Sequence, residues 1–265
     1  MRSVYGLIGK VLGHSYSHEM FTRKFQDENI NAEYRNFEIP SIECFKDIIA
    51  NIPNIKGLNV TIPYKTEIIP YLHRLTPEAE KIGAVNVVCV MKKPANGDED
   101  TELVGANTDV IGFAQSLSSR LKPHHKNALI LGTGGVSKAV AYALDGLKMN
   151  YQFVSRVRKR DAITYSDLTE EMMRDAVVVN CTPLGMFPAG DTFPDIPYQY
   201  LSARNLLFDC VYNPNGTPFL KKGGERGCDV VGGLEMLRLQ AREAWKLWQS
   251  TEINSKKNPY FAVKS

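Results

Sequence analysis

The chain has 265 residues, 43% of them hydrophobic, and 32 Lys+Arg against 29 Asp+Glu give a formal charge of +3. That length suggests one large domain or two ordinary ones, each able to bury a core, and so even a charge balance argues against the basic footprint of a nucleic-acid binder. No apolar run approaches the ~18 residues that cross a bilayer, and the early stretch from Val4 to Leu12 is broken by Lys10 with no cleavage site after it; a soluble, untargeted protein is expected.

In chain order, residues 3–8 read as a strand, 17–29 as a helix, 32–37 as a strand and 41–51 as an amphipathic stretch, which is the rhythm of an α/β layer. Residues 55–61 form the next expected strand, ended by Pro63, and 85–91 one more. The polar segment 92–101 reads as a surface loop. A helix is expected from Thr108 to about Leu121, and a domain boundary near Asn107. Residues 128–131 then form a compact apolar run suited to a buried parallel strand. Strands recur at 151–154, 176–179 and 206–211 with helical segments between them, a βαβ pattern that implies a doubly wound parallel sheet. The last long helix, 234–250, carries Leu234, Leu237, Ala241, Ala244 and Trp248 on one buried face.

Five cysteines at wide, irregular spacing, without a C-x-x-C pair, predict reduced thiols in a cytoplasmic setting rather than zinc or a disulfide framework. His14 and His18 stand four apart but lack the Glu and the third ligand of a metal motif, so no metal is expected.

The strand 128–131 runs into Gly132-Thr133-Gly134-Gly135-Val136-Ser137 and then a helix opening. Such a turn lets a pyrophosphate approach the backbone and rest on unpaired N–H groups. At the end of the next strand an acid would bind a ribose 2′-hydroxyl, whereas arginine accommodates a 2′-phosphate. Ser155-Arg156-Val157-Arg158-Lys159-Arg160 has no acid, which favours NADP over NAD. In the first half, Asn59-Val60-Thr61-Ile62-Pro63-Tyr64-Lys65 puts polar side chains at a strand end, and Asn107-Thr108-Asp109 stands before a helix. Each fits an ordinary edge or cap, yet a Lys and an Asp brought together could exchange a proton with a substrate hydroxyl. Ser15 and Ser17 flank a helix start, where capping or anion binding would explain them.

Together these segments resemble the shikimate dehydrogenase family. The resemblance rests on eight ordered blocks: H-S-x-S at 14–17, N-V-T-x-P-x-K at 59–65, I-G-A-V-N at 82–86, N-T-D-x-x-G at 107–112, G-x-G-G at 132–135, N-x-T-P-x-G-M at 180–186, D-x-V-Y-x-P at 209–214 and G-L-x-M-L-x-x-Q at 233–240. It implies an N-terminal α/β substrate domain (1–107, completed by helices in 234–265) and a Rossmann-type NADP domain (108–233), with a cleft where nicotinamide meets substrate. By matching position, Lys65 and Asp109 would be the catalytic pair. Ser15 and Ser17 would hold the substrate carboxylate, Asn59, Thr61, Asn86, Asp109 and Gln240 the ring hydroxyls, and Tyr212 would close the site. Gly132, Thr133, Gly134, Gly135, Val136, Ser155, Arg156, Arg158, Thr182, Met186 and Gly233 would touch NADP.

The implied activity is reversible NADPH-dependent reduction of 3-dehydroshikimate to shikimate by a cytoplasmic monomer or homodimer that binds neither nucleic acid nor membrane. A quinate/shikimate dehydrogenase of broader specificity would be expected to carry an acid at the second strand end. A silent sensor on this scaffold would be expected to have lost Lys65 or Asp109. Three positions depart from the family pattern: Gly9-Lys10-Val11 and Ser17-His18 each lack a proline, and Ser155-Arg156-Val157 replaces Asn-Arg-Thr.

Overall fold

A computed structural model describes residues 1–13, 15–94 and 99–250, and its internal contacts divide the chain into two units. The first is Met1–Thr108 with the helical residues from Ala241 on, and the second is Asp109–Gln240. The division falls inside the last helix, α8 (Leu234–Gln249), and not at its start.

In the first unit, β1 (Ser3–Gly9) lies between β2 (Ala32–Glu38) and β3 (Ile55–Val60), parallel to both, and is buried along nearly its whole length. A central strand with both faces covered is expected to read as an unbroken apolar run. Ser15 caps α1 (Tyr16–Asp27), its Oγ accepting the His18 N–H at 3.3 Å. The helix buries Phe21 and Phe25 against Tyr5, Tyr34 and the end of α8. Phe21 stacks on Tyr34 with centroids 4.8 Å apart, and Tyr5 meets Trp248 at 5.0 Å. The Trp248 indole N–H donates to the Val88 carbonyl at 3.1 Å, which ties α8 to this sheet. The amphipathic stretch 41–51 resolves into a 3₁₀ turn (Ile42–Cys44) followed by α2 (Phe45–Asn51).

The expected loop over 92–101 is a correction. β5 (Val87–Pro94) and β6 (Glu99–Ala106) pair antiparallel from Val87↔Ala106 to Pro94↔Glu99, and residues 95–98 lie outside the described set. Backbone ladder bonds hold such a hairpin, so its outer end tolerates polar residues that read as loop by composition. β4 (Arg74–Leu75) pairs with β6, and the unpredicted α3 (Pro77–Ile82) opens on a Thr76 cap that accepts the Ala79 N–H. The sheet order is β2-β1-β3-β5-β6-β4.

The second unit holds β7 (Asn127–Leu131), β8 (Asn150–Ser155), β9 (Ala162–Thr164), β10 (Val177–Asn180), β11 (Leu206–Asp209) and β12 (Asp229–Val231). They form an all-parallel sheet in the order β12-β11-β10-β7-β8-β9. The chain winds outward from β7 in one direction and from β10 in the other. In such a sheet ligands bind beyond the strand C-termini at that reversal. The loops after β7 and β10 are therefore the ones to inspect. Helices α4 (Asp109–Ser118), α5 (Gly135–Gly146), α6 (Glu170–Met173) and α7 (Pro218–Glu225) complete the unit, and Phe113 of α4 packs edge-on against Phe208 of β11 at 4.9 Å.

Candidate active site

In the first unit, Asn59 sits near the end of β3, and its side chain is held at both of its polar atoms. Its Oδ1 accepts the Tyr34 hydroxyl at 2.7 Å, and its amide donates to the Asn86 carbonyl at 3.4 Å. Asn86 in turn donates to the Thr108 hydroxyl at 3.0 Å and accepts the Thr108 N–H at 2.7 Å. A buried network with every member satisfied fixes rotamers, so these groups present one geometry. Beyond β3 the chain bends through Thr61, whose N–H donates to Ile8 C=O at 2.9 Å, and through the cis Ile62–Pro63 bond. Lys65 follows, 9% exposed, its carbonyl accepting the Val85 N–H at 2.7 Å. The sequence-predicted set Asn59, Thr61, Lys65 and Asn86 thus gathers at one end of this sheet.

Ser15 and Ser17 are both buried, and Ser15 is a helix cap. His14 lies outside the described residues. The turn before the serines, which lacks the family's proline, is held by another device. Glu38, at the end of β2, accepts the Leu12 and Gly13 N–H groups through Oε1 at 2.7 and 3.1 Å. Sequence reasoning missed Glu38, because its link to the serine loop spans 26 positions.

In the second unit, β7 turns through Gly132 at φ +107, a left-handed conformation that a side chain rarely adopts. A Cβ there would lie 3.2 Å from the Thr182 methyl, so the turn packs directly on the loop after β10. Gly134 caps α5, and a Cβ on it would meet nothing within 4 Å, which leaves the helix N-terminus open to an anion. Ser137, which stands where the fingerprint has Gly or Ala, turns its hydroxyl back onto the Gly134 carbonyl at 2.6 Å.

The loop after β10 is organised from beneath by Asn180. Its Oδ1 accepts from the Thr182 N–H and hydroxyl at 3.0 and 2.6 Å, and its amide donates to Asp209 at 2.9 Å. Asp209, wholly buried, also accepts from the Val211 N–H at 2.9 Å and the Thr217 hydroxyl at 2.5 Å. Burial pushes its carboxyl up to about 6 against the pull of these donors. Met186 and Phe187 are exposed at the end of that loop. Gly233 stands close over the Cys210 carbonyl, while Tyr212 is half-buried two residues beyond Cys210. Asp109 and Gln240 are both buried, at the start of α4 and within α8.

The basic segment after β8 divides its work. Arg156 is exposed, and its charge is felt by Tyr165. Arg158, expected at the cofactor, forms an ion pair with Asp167 at 2.6 Å. Lys159, given no role by sequence reasoning, reaches back to the glycine turn and donates to the Thr133 hydroxyl at 2.7 Å. Reciprocal backbone bonds between Lys159 and Ala162 form the tight turn that aims it there. Ser155 donates its hydroxyl to the Val157 carbonyl. The open α5 N-terminus, the glycine turn and a basic strand end without an acid suit a phosphorylated dinucleotide. Among the described residues no cluster of His, Cys, Asp and Glu could hold a metal ion, and no helix is long and apolar enough to cross a membrane.

Comparison with known proteins decides among the readings. The shikimate dehydrogenase substrate binding domain family matches residues 7–88. A Clostridium beijerinckii shikimate dehydrogenase (NADP(+)) is 37% identical, over 95% of this chain and 94% of its own length. The chain belongs to the shikimate dehydrogenase family. Among solved structures, Peptoclostridium difficile shikimate dehydrogenase 1 superposes with a TM-score of 0.79 at 34% identity, covering 98% of this chain and 95% of that one. The Thermus thermophilus shikimate 5-dehydrogenase, in complex with NADP(H) and shikimate, superposes with a TM-score of 0.79 at 27% identity, each chain covered to 93%. These neighbours match the fold expected from sequence, an N-terminal α/β substrate domain followed by a Rossmann-type domain, and the family is the one its eight blocks resemble.

Proposed function

We propose that this shikimate dehydrogenase interconverts 3-dehydroshikimate and shikimate through Lys65 and Asp109. The observation that carries the assignment is the burial of both ionisable residues, 9% and 5% exposed, in the turn that follows β3 and at a helix start, where no core needs a charge. The chain is an NADP-dependent oxidoreductase. In the reductive direction bound NADPH supplies a hydride to the ring carbonyl carbon. Lys65 donates a hydrogen bond to the carbonyl oxygen and passes it a proton as the alkoxide develops. Asp109 accepts from a ring hydroxyl and takes part in the proton transfer.

Asn59, Thr61, Asn86 and Gln240 hold the ring hydroxyls in this reading, Tyr212 covers the ring, and Ser15 and Ser17 take the carboxylate. On the cofactor side Gly132, Thr133, Gly134, Gly135 and Val136 cradle the pyrophosphate. Thr182, Met186 and Gly233 line the nicotinamide end, and Ser155 and Arg156 receive the 2′-phosphate. Lys159 joins that set, and Arg158 acts by fixing the basic turn through Asp167. The enzyme works in the cytoplasm as a monomer or homodimer with no nucleic-acid or membrane partner; five cysteines without a disulfide suit a reducing compartment.

An absorbance assay of the purified chain, offered shikimate or quinate with NADP or NAD, tests this directly. Shikimate with NADP should give the highest kcat/KM of the four combinations. A preference for quinate would move the chain to the broader-specificity class, and no turnover with any pair would remove the catalytic assignment.

A further inference from the structure

Two thiols stand together in the second unit without any role so far. Cys181 follows the last residue of β10 and Cys210 the last residue of β11, and those residues, Asn180 and Asp209, pair across the two parallel strands. Backbone bonds fix both: the Cys181 N–H donates to Leu131 C=O and the Cys210 N–H to Asn180 C=O, each at 2.9 Å. Their Sγ atoms are 3.8 Å apart, and both residues are half-buried. Neighbouring strands lie ~4.8 Å apart, inside the ~4.4–6.8 Å that disulfide-linked Cα atoms span, so a bond needs side-chain rotation and not separation of the strands.

We propose that Cys181 and Cys210 form a reversible oxidation site, closing to a disulfide under a hydroperoxide and disturbing the cofactor turn that leans on them. The Cys181 sulfur attacks the peroxide: an S–O bond forms, the O–O bond breaks, and the hydroxide released takes up the thiol proton as water. The Cys210 sulfur then attacks the resulting sulfenic acid. The S–S bond forms, the S–O bond breaks, and the thiol proton leaves with that hydroxide as a second water. The two sulfurs together lose two electrons, and the peroxide gains them. Cys210 serves the second step by proximity, its Sγ 3.8 Å from that of Cys181, while its hydrogen bond with Cys181 and its burial hold its thiol well above the ordinary range and leave the first attack to Cys181.

The consequence for the cofactor follows from what the cysteine backbones support. A Cβ at Gly132 would lie 3.4 Å from the Cys181 carbonyl, and one at Gly233 only 2.5 Å from the Cys210 carbonyl oxygen. Each cysteine is thus the floor beneath one glycine segment assigned to NADP. Drawing the sulfurs from 3.8 Å to the ~2.05 Å of a disulfide strains both segments at once. This effect rests on the cofactor assignment of the preceding subsection; formation of the bond does not.

The reduced protein is first assayed with shikimate and NADP, then treated with hydrogen peroxide and mapped by mass spectrometry. The expected product is a crosslinked peptide pair containing Cys181 and Cys210, lighter by two hydrogens. kcat/KM for NADP should fall, by up to about 100-fold, as a ~1 Å displacement near a reacting centre can cost, and dithiothreitol should restore it. By reciprocity NADP should shift the thiol–disulfide equilibrium toward the dithiol. Cys181→Ser and Cys210→Ser, each compared with its own untreated activity, should resist the loss. Sulfinic or sulfonic acids on separate peptides without a crosslink would overturn the site, and a crosslink that leaves NADP kinetics unchanged would overturn its effect on the turn. A reduced protein without activity would count against the functional reading alone, since the crosslink mass still decides the thiol chemistry.

Discussion

The two units hold their functional groups in opposite ways. In the first, the side chains proposed to face the substrate are locked by a buried hydrogen-bond network: Tyr34 on Asn59, Asn59 on the Asn86 backbone, and Asn86 on Thr108. In the second, backbone forms the proposed cradle at Gly132 and Gly134, and the basic side chains after β8, Arg156 and Lys159, are exposed. The contrast follows from the ligands. A small polyhydroxylated ring must be oriented to within a fraction of an ångström for transfer, so its partners are immobilised. A pyrophosphate is satisfied by N–H groups and long-range charge, and flexible arginines suffice.

Substitutions at the reacting end of the first unit should therefore lower turnover, and those on the rim of the second should alter cofactor affinity. The largest effect is expected at Lys65. Lys65→Met keeps the apolar stem and removes the proton donor, so kcat should fall by ~10² to 10⁴, about 2.7 to 5.5 kcal/mol of barrier, with the fold intact by circular dichroism. Turnover near the wild-type value would break the comparison at its strongest point.

Next comes Asp209, the buried carboxyl beneath the β10 loop, displaced from 3.8 to about 6. Because the folded value is raised, its contribution to stability is fully present below pH ~4 and is lost as pH rises through 6, a change of ~3 kcal/mol from this group. Asp209→Asn keeps one acceptor oxygen and lets Thr217 accept in place of donating, so its unfolding free energy should vary less between pH 4 and 7. Urea titrations at several pH values check this; parallel curves for variant and wild type would contradict it.

Arg156→Ala should weaken NADP about tenfold or more and leave NAD almost untouched, since one charge-assisted contact contributes ~1.5 to 3 kcal/mol. Lys159→Ala sharpens the point, because its bond to Thr133 places it at the turn itself. Equal losses for both dinucleotides would sink the phosphate assignment. The smallest effect is at Ser15, which caps α1 and is assigned to the carboxylate. Ser15→Ala should cost ~1 kcal/mol of stability and raise KM for shikimate with kcat little changed, because a remote carboxylate is bound alike in ground and transition states. A stability loss with KM unaltered would leave the residue as a cap only.

Much of this was legible in the sequence because the signals are local. The run at 128–131 entering glycines, the basic residues after 155 and the block 59–65 each carry their meaning within a few positions. β6 was not legible, since its outer half is polar and held by ladder bonds, and β9 and β12 are three-residue edge strands with no period to detect. Glu38 under the serine loop and the Asn180–Asp209–Thr217 network join residues far apart in the chain, and no spacing rule reaches across such separations. The ion pair of Arg158 with Asp167, nine positions on, is likewise announced by nothing local.

The proposal that Lys65 and Asp109 work as one catalytic group is tested most directly by a double-mutant cycle on kcat. Lys65→Met, Asp109→Asn and the double variant are compared with wild type for shikimate oxidation by NADP. Residues that act as a unit are not additive, so the double variant should be little worse than the worse single variant. A loss equal to the product of the two single losses would show that they act independently and would contradict the pairing.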